Sequence, residues 1–239
     1  GVREDTVVIT KGAHTPECNP AAVTRQLDES LERLQTDFID IYFLHRDNTR
    51  VPVGEFVDVL NEHKDAGRIG VFGGSNWSLE RTDEANEYAD KNGLSGFSVL
   101  SNHMSLARMV EAPWDGCLAA SDAESRAWLA EQQMPLFPWS AQARGFFVHG
   151  RAGVDLLDDP ELVRCWYSDD NFERLARVRS IAEKQGVDAV SVALAYVLNQ
   201  QSPTFPLMGP VSVEEARSSL AALDVELSSD DVEWLNLEV

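Results

Sequence analysis

Six short apolar runs, separated by stretches whose apolar residues recur every three or four positions, constrain the fold of this chain more than any other feature. The runs are VVIT at 7–10, FIDIYFLH at 38–45, RIGVFGGSNW at 68–77, GFSVLSNH at 96–103, MPLFPWS at 134–140 and TFPLMGP at 204–210. They are close to continuous rather than alternating, the pattern of strands covered on both faces, as in a parallel sheet between helices. The intervening stretches read as helices with recognisable ends. Asn19-Pro20 is an N-cap followed by a first-turn proline, and Val23, Leu27, Leu31 and Leu34 follow at helical spacing. Phe56, Val59, Leu60 and His63 form a second stripe closed by Gly67, and Ser78 caps a third helix running to Asn92 and stopped by Gly93. Further helices are expected near 122–133, within 145–200, near 213–222 and near 229–237, the last preceded by the capping-box pattern Ser228-x-x-Asp231.

Strand–helix alternation of this kind leaves two architectures, a doubly wound sheet or a (β/α) barrel. No Gly-x-Gly-x-x-Gly follows any strand, which removes the main support for a dinucleotide-binding doubly wound fold. No repeat, low-complexity segment or linker interrupts the pattern, so residues 1–239 are expected to form one domain. Forty acidic residues against twenty basic ones give a formal charge of −20, which phosphate backbones and anionic lipids repel, so neither nucleic acid nor membrane is an expected partner. Three widely spaced cysteines without a Cys-x-x-Cys pair, no membrane-length apolar stretch and no signal-peptide pattern at GVREDT make the cytoplasm the expected location.

In a barrel the active site gathers at the C-terminal ends of the strands. Those ends read Lys11, His45, Ser75-Asn76, Ser101-Asn102-His103, Trp139-Ser140 and Gly209. An ammonium, imidazoles and several hydroxyl or amide groups are thus expected at strand ends, without naming a reaction. A metal-dependent hydrolase built from His14, His45, His103 and Asp47 lacks the His-x-His spacing such a site uses, and no metal is expected.

The segments TKGAH (10–14), LHRDN (44–48), GRIGVFGGSNW (67–77), WSAQARG (139–145) and PLMGPVSVEEARSSLAALDVELSSDDVEWL (206–235), in this order, resemble the aldo-keto reductase family. The resemblance implies an eight-stranded (β/α) TIM-type barrel that uses NADPH or NADH to reduce aldehydes and ketones, so the expected partner is a small carbonyl or alcohol substrate. Lys11 then matches the catalytic lysine and His45 the catalytic histidine. Ser75, Asn76 and Ser101 match the groups that bond the nicotinamide carboxamide, and Trp139 stands where a stacking tyrosine is usual. Ser140, Gln142 and Arg144 fall on the pyrophosphate, and Gly209, Glu215 and Arg217 on the adenosine end. Glu215 replaces an arginine that grips a 2′-phosphate, so NADH is expected to serve at least as well as NADPH.

In that family the lysine acidifies a tyrosine, itself a poor acid near neutrality with an ordinary pKa of about 10, and an aspartate holds the lysine. Both belong to the strand before the lysine strand, and only ten residues precede Lys11. The expectation is therefore an incomplete barrel with six of the eight parallel strands, a fragment or module of a longer enzyme with a linked or associated N-terminal segment. The alternative is a catalytically silent cofactor-binding regulatory or scaffold subunit. Alternation turns Tyr42, three residues before His45, toward the helices; Tyr88 and Tyr196 fall in helices, and Tyr167 is the tyrosine left to hang over the mouth. Trp77, Trp114, Phe146 and Phe147 fall in the expected pocket loops and point to apolar or sugar-stacking contacts with a substrate.

Overall fold

The computed structural model describes residues 2–239, and the chain divides into two compact units, Gly1–Ser101 and Asn102–Val239. The first holds a four-stranded parallel sheet in the order β1 (Ile9–Gly12), β2 (Ile39–Leu44), β3 (Ile69–Ser75) and β4 (Val99–Ser101). Helices α1 (Pro20–Leu34), α2 (Val53–Asp65) and α3 (Leu79–Asn92) connect consecutive strands. The predicted ends hold at atomic detail. Asn19 accepts from Ala22 N at the start of α1, Ser78 accepts from Arg81 N at the start of α3, and Gly93 closes α3 in the left-handed region at φ 68°. Strand β2 is buried almost throughout, and the α2 stripe Phe56, Val59, Leu60 and His63 is wholly inside. Each large apolar side chain so buried, such as Leu27, Ile39 or Phe56, contributes roughly 1.5–3 kcal/mol.

The second unit is mostly helical: α4 (Ala123–Gln132), α5 (Pro160–Trp166), α6 (Asp169–Gln185), α7 (Ala189–Leu198), α8 (Val213–Leu220) and α9 (Ser229–Leu235). Its core centres on α7, where Val192 to Val197 are all buried, packed with Leu162, Trp166, Leu175 and Val178. The Ser228–Asp231 capping box forms as expected. The loop 106–120 is irregular, as read from sequence, and is tied down by Asn171, which accepts from Arg108 N and donates to Arg108 O.

Four of the six apolar runs are strands. The other two, 134–140 and 204–210, meet in parallel at a single bridge, Leu136 to Thr204. Leu136 N donates to Pro203 O, Phe205 N to Leu136 O and Leu207 N to Pro138 O, and Phe137 stacks on Phe205 at 4.9 Å. Pro138 and Pro203, on the rows that face each other, carry no N–H, so a longer ladder cannot be completed.

Candidate active site

Period-two alternation decides which side chains of the first unit share a face. The register pairs Lys11 with Phe43, Phe43 with Gly73, Gly73 with Val99 and Ser75 with Ser101. Lys11, Phe43, Ser75 and Ser101 therefore face one way, while Thr10, Tyr42 and Phe72 face the other. The long lysine stem crosses above Phe43, with Nζ 5.2 Å from the ring centroid, to reach β3 and β4. There Nζ donates to Ser75 Oγ at 3.0 Å and Ser101 Oγ at 2.7 Å. Ser75 in turn donates its hydroxyl hydrogen to Ser101 O at 2.8 Å. Asn76, in the left-handed region that asparagine tolerates, donates to Ser75 Oγ at 3.3 Å. Burial, with the nearby Arg46 guanidinium, lowers the Lys11 pKa to about 8.

His45 extends the β1–β2 ladder by one bond, its N–H donating to Gly12 O at 2.6 Å. Its ring meets His14 edge-on at 4.7 Å. Burial, then the positive charge of Lys11 and the His14 and Arg46 side chains, lowers its pKa to about 4, so it is neutral near pH 7. Arg46 is a cationic neighbour of both Lys11 and His45 that pattern reading missed; its place beside His45 in sequence was the available signal. Cys18 is buried and donates to Arg46 O, with its thiol pKa pushed up to about 11 by burial. Asp47 is held by Arg81 at 2.9 Å.

Neither tyrosine of this unit is bonded to Lys11. Tyr42 is fully buried on the helix side, as alternation required, and donates to Val23 O of α1. Tyr88 donates to Asp58. In the second unit Tyr196 donates to Asn236, and Tyr167 donates to Leu156 O at 2.7 Å and accepts from Gly153 N, so that hydroxyl is tied into its own loop.

The second unit carries the remaining sequence-derived positions. Ser140, Gln142, Arg144, Gly209 and Glu215 line one groove of about 1600 Å³. Its wall includes a tight turn in which Ser140, Ala143 and Arg144 all lie at positive φ, a costly conformation for residues with a Cβ and one concentrated at functional sites. Arg144 pairs with Glu161 at 2.7 Å and lies over the Trp114 ring, while Gln142 donates to Ser219 Oγ. Nothing lies within 4 Å of where a Gly209 side chain would start. Glu215 Oε2 accepts from Val211 N at 2.8 Å, so it also serves the start of α8; Arg217 is exposed on α8 and is not among the groove residues. Trp139 is outside the groove lining as well, packed between His103 at 4.8 Å and Trp114 at 6.2 Å between ring centroids. His103 is completely buried, bonded to Trp139 O and Ser105 Oγ, and burial lowers its pKa to about 4. Of the aromatics expected in a substrate pocket, Trp77 and Phe146 are fully buried core residues, Phe147 backs the groove and Trp114 is half exposed. Among the described residues no cluster of three or more His, Cys, Asp or Glu could hold a metal, and no helix is long and apolar enough to cross a membrane.

A parallel α/β fold with an ammonium and a neutral imidazole at neighbouring strand ends is the setting in which the comparisons with known proteins take on meaning. The chain matches the Aldo/keto reductase family over residues 1–236 and belongs to it. It is 26% identical over 204 residues to the norsolorinic acid reductase of Aspergillus flavus, covering 85% of this chain and 49% of that protein. The chain spans about half the length of the curated relatives it matches. Among solved structures it resembles a thermostable aldo-keto reductase in complex with the inhibitor epalrestat, with TM-score 0.74, 20% identity and coverage of 98% of this chain and 72% of the other. It also resembles an aldo/keto reductase from Klebsiella pneumoniae in complex with NADP and acetate, with TM-score 0.73, 21% identity and coverage of 100% and 71%. The fold is thus the parallel α/β fold of the TIM-barrel type found in aldo-keto reductases.

Proposed function

We propose that this chain carries the cofactor-binding and part of the catalytic apparatus of an enzyme that reduces an aldehyde or ketone to an alcohol. It corresponds, on this reading, to six of the eight strand positions of an aldo-keto reductase barrel within a single domain, the prolines having shortened the last two. The observation that carries the reading is Lys11, held at a strand end by Ser75 and Ser101 beside His45. A nicotinamide cofactor would supply the hydride. The groove residues Ser140, Gln142 and Arg144 suit its phosphates by hydroxyl, amide and guanidinium donors, and the bare Gly209 leaves room for it. Ser75, Asn76 and Ser101 offer donors and acceptors to an amide such as the nicotinamide carboxamide.

The chain's own work at the carbonyl falls to two groups. A neutral His45 donates one ring N–H to the carbonyl oxygen and orients it. The Lys11 ammonium stabilises the negative charge that grows there, and a pKa of about 8 places it where an acid is effective near neutrality. The negative charge of Glu215 at the groove disfavours a 2′-phosphate, which supports NADH serving at least as well as NADPH. None of the three cysteines is in a disulfide, which suits a reducing compartment such as the cytoplasm.

Turnover is read from the loss of reduced-nicotinamide absorbance with a panel of aldehydes and ketones. Lys11→Met and His45→Ala are each expected to lose most of it, and undiminished turnover in Lys11→Met would overturn the reading. One observation favours the binding-subunit alternative: none of the four tyrosine hydroxyls is bonded to Lys11. Quenching of nicotinamide fluorescence without turnover of any carbonyl would decide for it.

A further inference from the structure

Lys11 is anchored by hydroxyls rather than by a carboxylate: among the described residues, no ion pair includes it. An amine nitrogen has three directions besides its stem, and two of them point at Ser75 Oγ and Ser101 Oγ. In the neutral amine the third direction is a lone pair. The Ser75 hydroxyl hydrogen is committed to Ser101 O, so that group does not cap it. The residue is half-buried rather than sealed in the core. Desolvated lysines near another cation are the ones whose amines act as nucleophiles at neutral pH, and Lys11 has both features.

We propose that Lys11 captures small aldehydes covalently, as an imine. The amine lone pair forms a bond to the aldehyde carbon while the carbonyl π electrons move to oxygen. A proton passes from nitrogen to that oxygen, giving a carbinolamine. The nitrogen lone pair then expels the hydroxyl, which takes up a proton and leaves as water, and the nitrogen loses its last proton as the neutral imine forms. Aldehyde plus amine give imine plus water, and nothing is oxidised or reduced. Aldehydes are favoured over ketones because a second carbon substituent crowds the attacked centre. The capture uses no nicotinamide cofactor and so does not depend on the reductase reading.

The full chain, without any nicotinamide, is treated with benzaldehyde and cyanoborohydride across a pH series, and peptide masses report benzylation at Lys11, Lys64, Lys91 and Lys184. Near pH 7, Lys11 is expected to label about tenfold faster than the exposed Lys91, since lowering its pKa from 10.5 to about 8 raises its neutral fraction more than about a hundredfold and burial takes part of that back. Its rate should rise with a midpoint of about 8. Lys11→Arg keeps the charge and removes the nucleophile, so the fast adduct should vanish. If that variant fails to fold, the pH profile of the unaltered chain still decides. Labelling of Lys11 no faster than Lys91, or with the profile of an ordinary lysine, overturns the proposal. Carbonyl turnover without fast labelling would refute imine capture alone, and labelling without turnover would refute the reductase reading alone.

Discussion

Lys11 Nζ and Ser101 Oγ lie 2.7 Å apart although 90 residues separate them, and the contact spans the sheet from its first strand to its fourth. Holding a lysine there has a thermodynamic consequence. Burial depresses its pKa from 10.5 to about 8, so between those values the unfolded chain binds a proton that the folded chain does not. Stability therefore rises with pH across that window, and below it the full cost of the buried charge remains. Replacing Lys11 by Met should stabilise the fold near pH 7 by at most about 3 kcal/mol, since each unit is worth about 1.4 kcal/mol. The gain should shrink toward pH 10.5. Denaturant unfolding at two pH values measures it, and a destabilised Lys11→Met at neutral pH would contradict the account.

Gly12, the residue after Lys11, is packed against Tyr42. A Cβ there would sit 1.9 Å from Tyr42 Oη and 3.0 Å from Cζ. Gly12→Ala should cost about 1–3 kcal/mol through overpacking. Tyr42→Phe removes the first contact and should recover part of the loss in the double variant. At Gly73 the obstacle is the Val99 carbonyl oxygen, 1.7 Å away, which no side-chain change can relieve. Thermal melts of Gly12→Ala with and without Tyr42→Phe test the difference; equal melting temperatures would contradict the packing account.

His45 and His103 are both neutral in the fold with pKa values lowered to about 4, against an ordinary 6.5. From pH 6.5 down to about 4 the unfolded chain takes up protons that the folded one refuses, so stability falls as pH falls. His45→Gln should flatten this acid limb by up to about 1.4 kcal/mol per pH unit, the value of one proton. An unchanged slope would show that His45 takes up its proton at the same pH in the folded chain as in the unfolded one, against the lowered pKa.

Glu215 combines a groove position with a helix-start contact to Val211 N. Glu215→Gln retains an oxygen acceptor for that contact and removes the charge. The ratio of NADPH to NADH dissociation constants should move severalfold toward NADPH while the melting temperature changes little, since exposed charges near a helix start are worth only about 0.3–1 kcal/mol. An unchanged ratio would show that Glu215 does not face the cofactor's ribose.

Much of this was legible in the sequence. Continuous apolar runs marked β1 to β4 and the 3.6-residue period marked the helices, because apolar burial dictates both, and Asn19, Ser78 and Ser228 marked helix starts by side-chain chemistry alone. The alternation that turned Tyr42 away from Lys11 was also readable in advance. What stayed hidden were contacts between distant segments: the lysine stem reaching Ser75 and Ser101, the Arg144–Glu161 pair, and the burial of Trp77 and Phe146. Local composition cannot distinguish an aromatic in the core from one that lines a pocket. The two shortened strands were misjudged for a different reason, since MPLFPWS and TFPLMGP have the right hydrophobicity and the wrong number of N–H donors.

Those prolines also bear on how the chain behaves at high concentration. A strand with a full row of open N–H and C=O groups is a template onto which a second chain can zip, the first step of edge-to-edge aggregation. On the rows of these two segments that face away from their pairing, where a zipping strand would seek bonds, Pro135 and Pro206 leave gaps in the donors. The short pairing thus works as colloidal insurance: it holds two segments of one molecule together and offers a neighbouring molecule little to grip.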